Sequence, residues 1–216
     1  MRNFAFIILT LSFLGACAQK AKNTENITQE LTSKIAKAKA DTNLKVATFA
    51  GGCFWCTETI FEGIKGVSEV VSGYSGGKET NPDYNSVGSG QTSHAEAFQV
   101  YYDPKIISFQ ELVRVYFASI DPTIVNGQGP DRGAQYRTIA FYTNDEEKTI
   151  ITTKIKELEK EYTKPIATQV VKFDKFYQAE DYHQDFVQRN PNQGYVRAES
   201  IPRRERTFAK VKDLLK

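Results

Sequence analysis

Lys45-Val-Ala-Thr-Phe-Ala50-Gly51-Gly52-Cys53-Phe54-Trp55-Cys56-Thr57-Glu58 is the stretch on which the reading of the chain turns. Lys45–Ala50 is a short β-branched and aromatic run closed by two glycines, the pattern of a strand. The glycines permit a tight turn and the close approach of another group. A short helix then opens, with Cys53 and Cys56 three apart on one face. Unpaired N–H groups and positive potential at the helix N-terminus favour a thiolate at Cys53. Three readings of the pair are open from these residues: two packed thiols, half of a zinc site completed by His94 and His183, or a redox pair. The histidines are too widely separated for a compact zinc finger, so the redox pair is favoured. Phe54 and Trp55 are either core residues or an apolar wall beside a reactive thiol.

Outward from this stretch, further strands are expected at Val67–Tyr74, Ala97–Tyr102, Thr138–Tyr142 and Ala167–Phe173. Ser108-Phe-Gln-Glu111 reads as a capping box ahead of a helix over Leu112–Ala118. Asn144-Asp-Glu-Glu147 opens a longer helix running to about Tyr162, with acids where the helix dipole favours them. This mixed order predicts an α+β fold, a two-layer sandwich of one mixed sheet with packed helices. Ser72–Gly90 and Asp121–Arg137 are rich in Gly, Pro, Asn, Asp and Ser, and read as long functional loops.

The chain has 216 residues, and 28 Lys+Arg against 26 Asp+Glu leave a net charge of +2. That balance argues against a dedicated nucleic-acid binder. Three cysteines are too few for a disulfide-stapled scaffold. Arg2 followed by an apolar run from Phe4 to Leu14 reads as a secretory signal over residues 1–16. Leu14-Gly15-Ala16-Cys17 resembles the bacterial lipobox, which implies cleavage after Ala16 and lipid on Cys17. The expectation is therefore a lipid-anchored protein of the bacterial cell envelope, on its periplasmic or surface side. Residues 17–43 are polar and Lys-rich. Ile27, Leu31 and Ile35 permit a weak helix, but with no wider apolar face a tether is expected. A catalytic domain is expected over 44–200, followed by a basic tail over 201–216 with no evident task. The single Met is the initiator.

Beyond the cysteine pair the chain resembles the A-type peptide methionine sulfoxide reductases. Gly-Gly-Cys53-Phe54-Trp55 carries the first match, and Asn81-Pro-Asp-Tyr84 through Gly90 and His94-Ala-Glu96-Ala97 the second. Asp103-Pro104 follows. Asp121-Pro-Thr123 through Gln128-Gly129 and Asp131-Arg-Gly-Ala-Gln-Tyr136-Arg137 come next, then Ala179-Glu-Asp-Tyr-His183-Gln184. The similarity runs from about Val46 to Gly194. Departures are Cys56 where Gly is commonest, no recycling Cys in the tail, Ser93 for Gly, Thr138 for Ser, and Ile120 for His.

The resemblance implies a ferredoxin-like core and a chemistry with no bound cofactor or metal. Cys53 attacks the sulfoxide sulfur, and Glu96 in an apolar cavity protonates the departing oxygen. Tyr84 and Tyr136 donate hydrogen bonds to that oxygen. Phe54 and Trp55 hold the S-methyl group. Asp131 orders the loop and a tyrosine or water, and His183 is a site residue or a buried structural one. The Cys53 sulfenic acid condenses with Cys56, and a thioredoxin-like dithiol reduces the disulfide. The implied substrates are free and protein-bound methionine-S-sulfoxide, handled by a monomer. The rival class is a general Cys-x-x-Cys disulfide oxidoreductase.

Overall fold

A computed structural model of the protein describes residues 28–216. The expected signal segment and Cys17, the expected site of lipid attachment, lie outside the described residues. In chain order the elements are α1 (28–40), β1 (Lys45–Gly51), α2 (Phe54–Glu62), β2 (Val67–Ser75), α3 (Tyr84–Gly88) and β3 (Ala95–Tyr102). They continue with α4 (Phe109–Ser119), β4 (Gly127–Gln128), β5 (Asp131–Arg132), β6 (Thr138–Tyr142), α5 (Asp145–Leu158), β7 (Gln169–Lys172), β8 (Phe176–Gln178), α6 (Phe186–Arg189) and α7 (Ile201–Lys210). The capping box before α4 is present with both bonds made, and Asn144 caps α5. Caps of this kind contribute about 1 kcal/mol each by satisfying first-turn N–H groups.

The main sheet runs β7-β6-β1-β3-β2-β8. Within it, β1-α2-β2-β3-α4-β6 places its four strands side by side in the order β6-β1-β3-β2, every neighbour antiparallel. This is the split βαβ arrangement of a ferredoxin-like core. The β6–β7 pair is parallel, which makes the sheet mixed. Alternation along the strands sends Ala47, Phe49, Phe98, Val100 and Ala140 to one face, beneath α2, α4 and α5. Ala50, Ala97, Ile139 and Phe141 face the other way.

Two expectations about the chain ends are corrected. Residues 28–40 are not a tether. Leu31, Ile35 and Ala38 of α1 are buried against Val71 and Tyr101, on the sheet face away from α2. The narrow stripe suffices because the sheet supplies the rest of the apolar surface. Lys34 of α1 also lies 3.3 Å from Glu69 and 3.9 Å from Asp185. Residues 201–216 are not a loose tail either. Val211 and Leu214 join the main core, and the Lys65 N–H donates to the Leu214 carbonyl at 2.8 Å. The two expected long loops also carry structure: α3 in the first, and in the second the β4–β5 pair and a 3-10 turn over Ala134–Tyr136.

Candidate active site

β1 ends at a turn that only glycine can make. Gly52 has φ +79°, and a Cβ there would meet Gln128 Cβ at 2.6 Å. Gln128 is itself clasped to the Asp121 backbone: its Nε2 donates to the Asp121 carbonyl at 2.7 Å, and the Asp121 N–H donates to its Oε1 at 2.9 Å. Cys53 follows as the cap residue of α2 and lines a cavity of about 250 Å³. Phe54, Trp55, Tyr84, Glu96, Asp131 and Tyr136 share that cavity. Residues far apart in the sequence are thus gathered at one opening.

Glu96 enters from β3, opposite Tyr74 of β2. It is 2% exposed, and its Oε2 accepts the Phe54 N–H at 3.0 Å. Burial raises its pKa to about 8, against the lowering effect of that N–H. The carboxyl therefore holds its proton at neutral pH. Burial likewise raises the Tyr84 and Tyr136 phenols, which remain donors. The Tyr84 N–H donates to Glu180 Oε1 at 2.9 Å, and Glu180 Oε2 accepts from the Tyr74 hydroxyl at 2.8 Å. That carboxylate fixes the start of α3 to β2.

The cysteines depart from the expectation that the helix terminus favours a thiolate at Cys53. Burial pushes the Cys53 thiol well above its ordinary value, and hydrogen bonding to Cys56 and nearby negative charge add to this. The first-turn N–H of Phe54 is spent on Glu96, so the helix offers the sulfur less. Cys56 moves the other way, to about 6, chiefly through the hydrogen bond from Cys53 and then through the Arg203 charge and Ser200. Both cysteines are free thiols.

His183 does not line the cavity. It stands behind Trp55, whose Nε1 donates to His183 Nδ1 at 3.1 Å. Burial lowers its pKa to about 4, so the ring is neutral and can accept that bond. Phe186 stacks on Trp55 with centroids 3.7 Å apart. The Ala179–Gln184 segment is thus a clasp: Gln184 accepts the Ser72 N–H at 2.9 Å and donates to the Ser72 and Ala179 carbonyls at 2.9 Å. His94 serves its own loop, accepting the Gly77 N–H at 3.2 Å. Among the described residues, the His, Cys, Asp and Glu side chains close enough to share a cation are Glu62, Glu69 and Asp185, not the cysteine pair with the histidines.

Further site residues carry no signal in the sequence. Tyr195 and Gln193 line the cavity, and the Tyr195 hydroxyl donates to Asp131 Oδ2 at 2.5 Å. Ser200 Oγ lies 3.1 Å from Cys56 Sγ. Arg203, in the expected basic tail, is buried and donates to the Gly51 and Ser119 carbonyls at 2.6 and 2.8 Å. Asp131 was expected to order a tyrosine, and that tyrosine is Tyr195. No local pattern marks any of these; they reach the site by a fold-back of more than sixty positions.

A thiol and a protonated acid facing one small cavity, with phenols around it, define a thiol-dependent reductase on a split βαβ sheet. The family description "Peptide methionine sulfoxide reductase" matches residues 45–214. A peptide methionine sulfoxide reductase of Rhodopirellula baltica is 51% identical over 166 residues, covering 77% of this chain and 86% of that one. One from Thermus thermophilus is 44% identical over 172 residues, covering 80% and 98%. Among solved structures, reduced Mxr1 of Saccharomyces cerevisiae superposes with a TM-score of 0.67 at 35% identity, covering 71% and 90%. Methionine sulfoxide reductase A of Corynebacterium diphtheriae gives 0.66 at 28% identity, covering 71% and 78%. The chain belongs to the peptide methionine sulfoxide reductase family.

Proposed function

We propose that this chain reduces methionine-S-sulfoxide, free and in proteins, with Cys53 as nucleophile and Glu96 as acid. The observation that carries the assignment of roles is Glu96: a buried carboxyl, oriented by the Phe54 N–H, that keeps its proton in the cavity Cys53 lines. Cys53 sulfur bonds to the sulfoxide sulfur as Glu96 protonates the oxygen. Tyr84 and Tyr136 donate to that oxygen as its bond to the substrate sulfur weakens. Phe54 and Trp55 form the apolar wall for the methyl group, and His183 sets the Trp55 ring. The protonated oxygen leaves the substrate sulfur and bonds to the Cys53 sulfur as the bond between the two sulfurs breaks, so methionine departs and Cys53 is left as a sulfenic acid. Cys56 sulfur then displaces the oxygen as water and closes the Cys53–Cys56 disulfide. A thioredoxin-like dithiol restores both thiols.

A general disulfide oxidoreductase would have no use for the acid or for the phenols. Leu14-Gly15-Ala16-Cys17 supports a further part of the proposal, a lipid anchor that holds a monomeric enzyme in the cell envelope.

The test is an assay on both epimers of a peptidyl methionine sulfoxide, with thiols counted by mass spectrometry. The S epimer alone is expected to react. Cys53→Ser is expected to abolish reduction. Cys56→Ser is expected to release one methionine per chain and then stall with thioredoxin. Normal turnover by Cys53→Ser would overturn the mechanism, and sustained thioredoxin cycling by Cys56→Ser would overturn the recycling step.

A further inference from the structure

The two cysteines differ in what can reach them. Cys53 is on the cavity wall and keeps 6% exposure, whereas Cys56 is fully covered and off that wall. What covers Cys56 is polar. Ser200 Oγ is 3.1 Å from its sulfur, and its thiol points at the Tyr195 hydroxyl at 3.9 Å. Ser200 is held there by a π-helical turn, Val196–Ser200, that leads directly into α7. Three residues on, Arg203 brings a guanidinium into the interior. It bonds only backbone carbonyls, Gly51 beside the cysteine pair and Ser119 at the end of α4. No carboxylate among the described residues lies within ion-pair distance of it. A buried charge without a counterion is costly, and Cys56, Asp131 and the Tyr116 phenol all feel this one.

We propose that the reductant attacks the Cys53 sulfur of the disulfide through the substrate cavity, and that Cys56 is the leaving thiolate, received by Ser200 and the Arg203 charge. This rests on the Cys53–Cys56 disulfide of the reading above and gives that step a direction. A thiolate of an external dithiol forms a bond to Cys53 sulfur. The Cys53–Cys56 bond breaks, and its electron pair goes to Cys56. The second thiol of the reductant then attacks the reductant's own linked sulfur and releases Cys53. Two electrons and two protons pass to the cysteine pair, and the reductant leaves as its disulfide. Access and the polar cover of Cys56 choose the same bond: Cys53 has no thiol proton to give in the disulfide, but Ser200 and the Arg203 charge stay beside the departing Cys56 sulfur and stabilise it as a leaving group. Ser200 and Arg203 are positioning residues here. Substrate and reductant must also use the same opening in turn.

The experiment starts from the full chain and one equivalent of peptidyl methionine-S-sulfoxide without reductant. Loss of both thiols establishes the disulfide; two surviving thiols would refute the underlying reading instead. The oxidised chain is then mixed with a bacterial thioredoxin whose second active-site cysteine is replaced by serine, and in parallel with cysteamine. Fragment masses between Cys53 and Cys56 locate the mixed disulfide. Both probes are expected on Cys53 with Cys56 free; an adduct on Cys56 overturns the proposal. Ser200→Ala is expected to slow disulfide reduction about three- to tenfold relative to the first methionine burst. In a Cys53→Ser background, Ser200→Ala is also expected to shift the ultraviolet titration of the Cys56 thiolate upward. Unchanged reduction and titration would remove Ser200 from the role.

Discussion

At its N-terminal end α2 gives a backbone N–H to Glu96, and that carboxyl faces a cavity holding a thiol and two phenols. Further along the same helix, Glu58 and Glu62 are packed with Glu69 and Asp185 under Lys34 of α1, with no thiol beside them. Burial raises the acids at both places, Glu96 and Glu62 each to about 8. A displaced pKa therefore does not separate chemistry from packing in this molecule. What separates them is the company: Glu96 meets open space and a nucleophile, while the second cluster meets an ammonium and the sheet.

The sharpest way to break this contrast is to neutralise one acid at each place. Glu96→Gln is expected to slow the first methionine burst by roughly 10²- to 10⁴-fold, the usual range for losing a positioned acid. Glu62→Gln is expected to leave it within about twofold. Comparable losses in single-turnover assays would erase the distinction.

A smaller effect lies in pH. The acid form of Glu96 is the active one and its pKa in the folded chain is about 8. The burst rate should thus fall as pH rises through that value, and Glu96→Gln should lose this limb. Stability has the same sign at both places. Between 4.5, the ordinary value of a glutamate, and about 8, folded Glu96 and Glu62 hold protons that the unfolded chain has released. Stability is therefore expected to decline from pH 6 to 8.5. Urea unfolding at the two pH values should show each substitution flattening that decline, and an unflattened slope would contradict the shifts.

The smallest expected change is Lys34→Ala. The Lys34 side chain is 49% exposed although that of Glu69 is only 2%, so solvent screens the ammonium and its pairing is worth on the order of 1 kcal/mol. Activity should be unaffected. A loss of several kcal/mol on urea unfolding would mean that the acids depend on that single ammonium.

The strands were legible because their alternation and turn residues are local. β6 begins and ends where expected, and β1 extends the expected run by one residue. Ser108, Glu111 and Asn144 marked their helix starts because a cap needs only its own first turn. The cavity residues named from family motifs came together, with Glu96 as the second residue of β3, which begins at Ala95 ahead of the expected Ala97. His183 was half legible: its neighbourhood was right, but a sequence does not say on which side of an indole a ring will sit. Tyr195, Ser200 and Arg203 were illegible for a different reason. Each acts on Asp131 or the cysteine pair across a long loop closure, and an isolated basic helix looks the same whether it floats or docks. α1 failed in the same way, since a stripe of Leu31, Ile35 and Ala38 binds only if another surface is waiting.

The outer strands of the main sheet are short: β7 has four residues and β8 three. A long bare edge would offer unpaired amides to any extended segment that came near. An enzyme that reduces methionine sulfoxide in peptides works on substrates that can present such segments. Among the described residues, ending the sheet on two stubs leaves little bare edge for such segments to pair with.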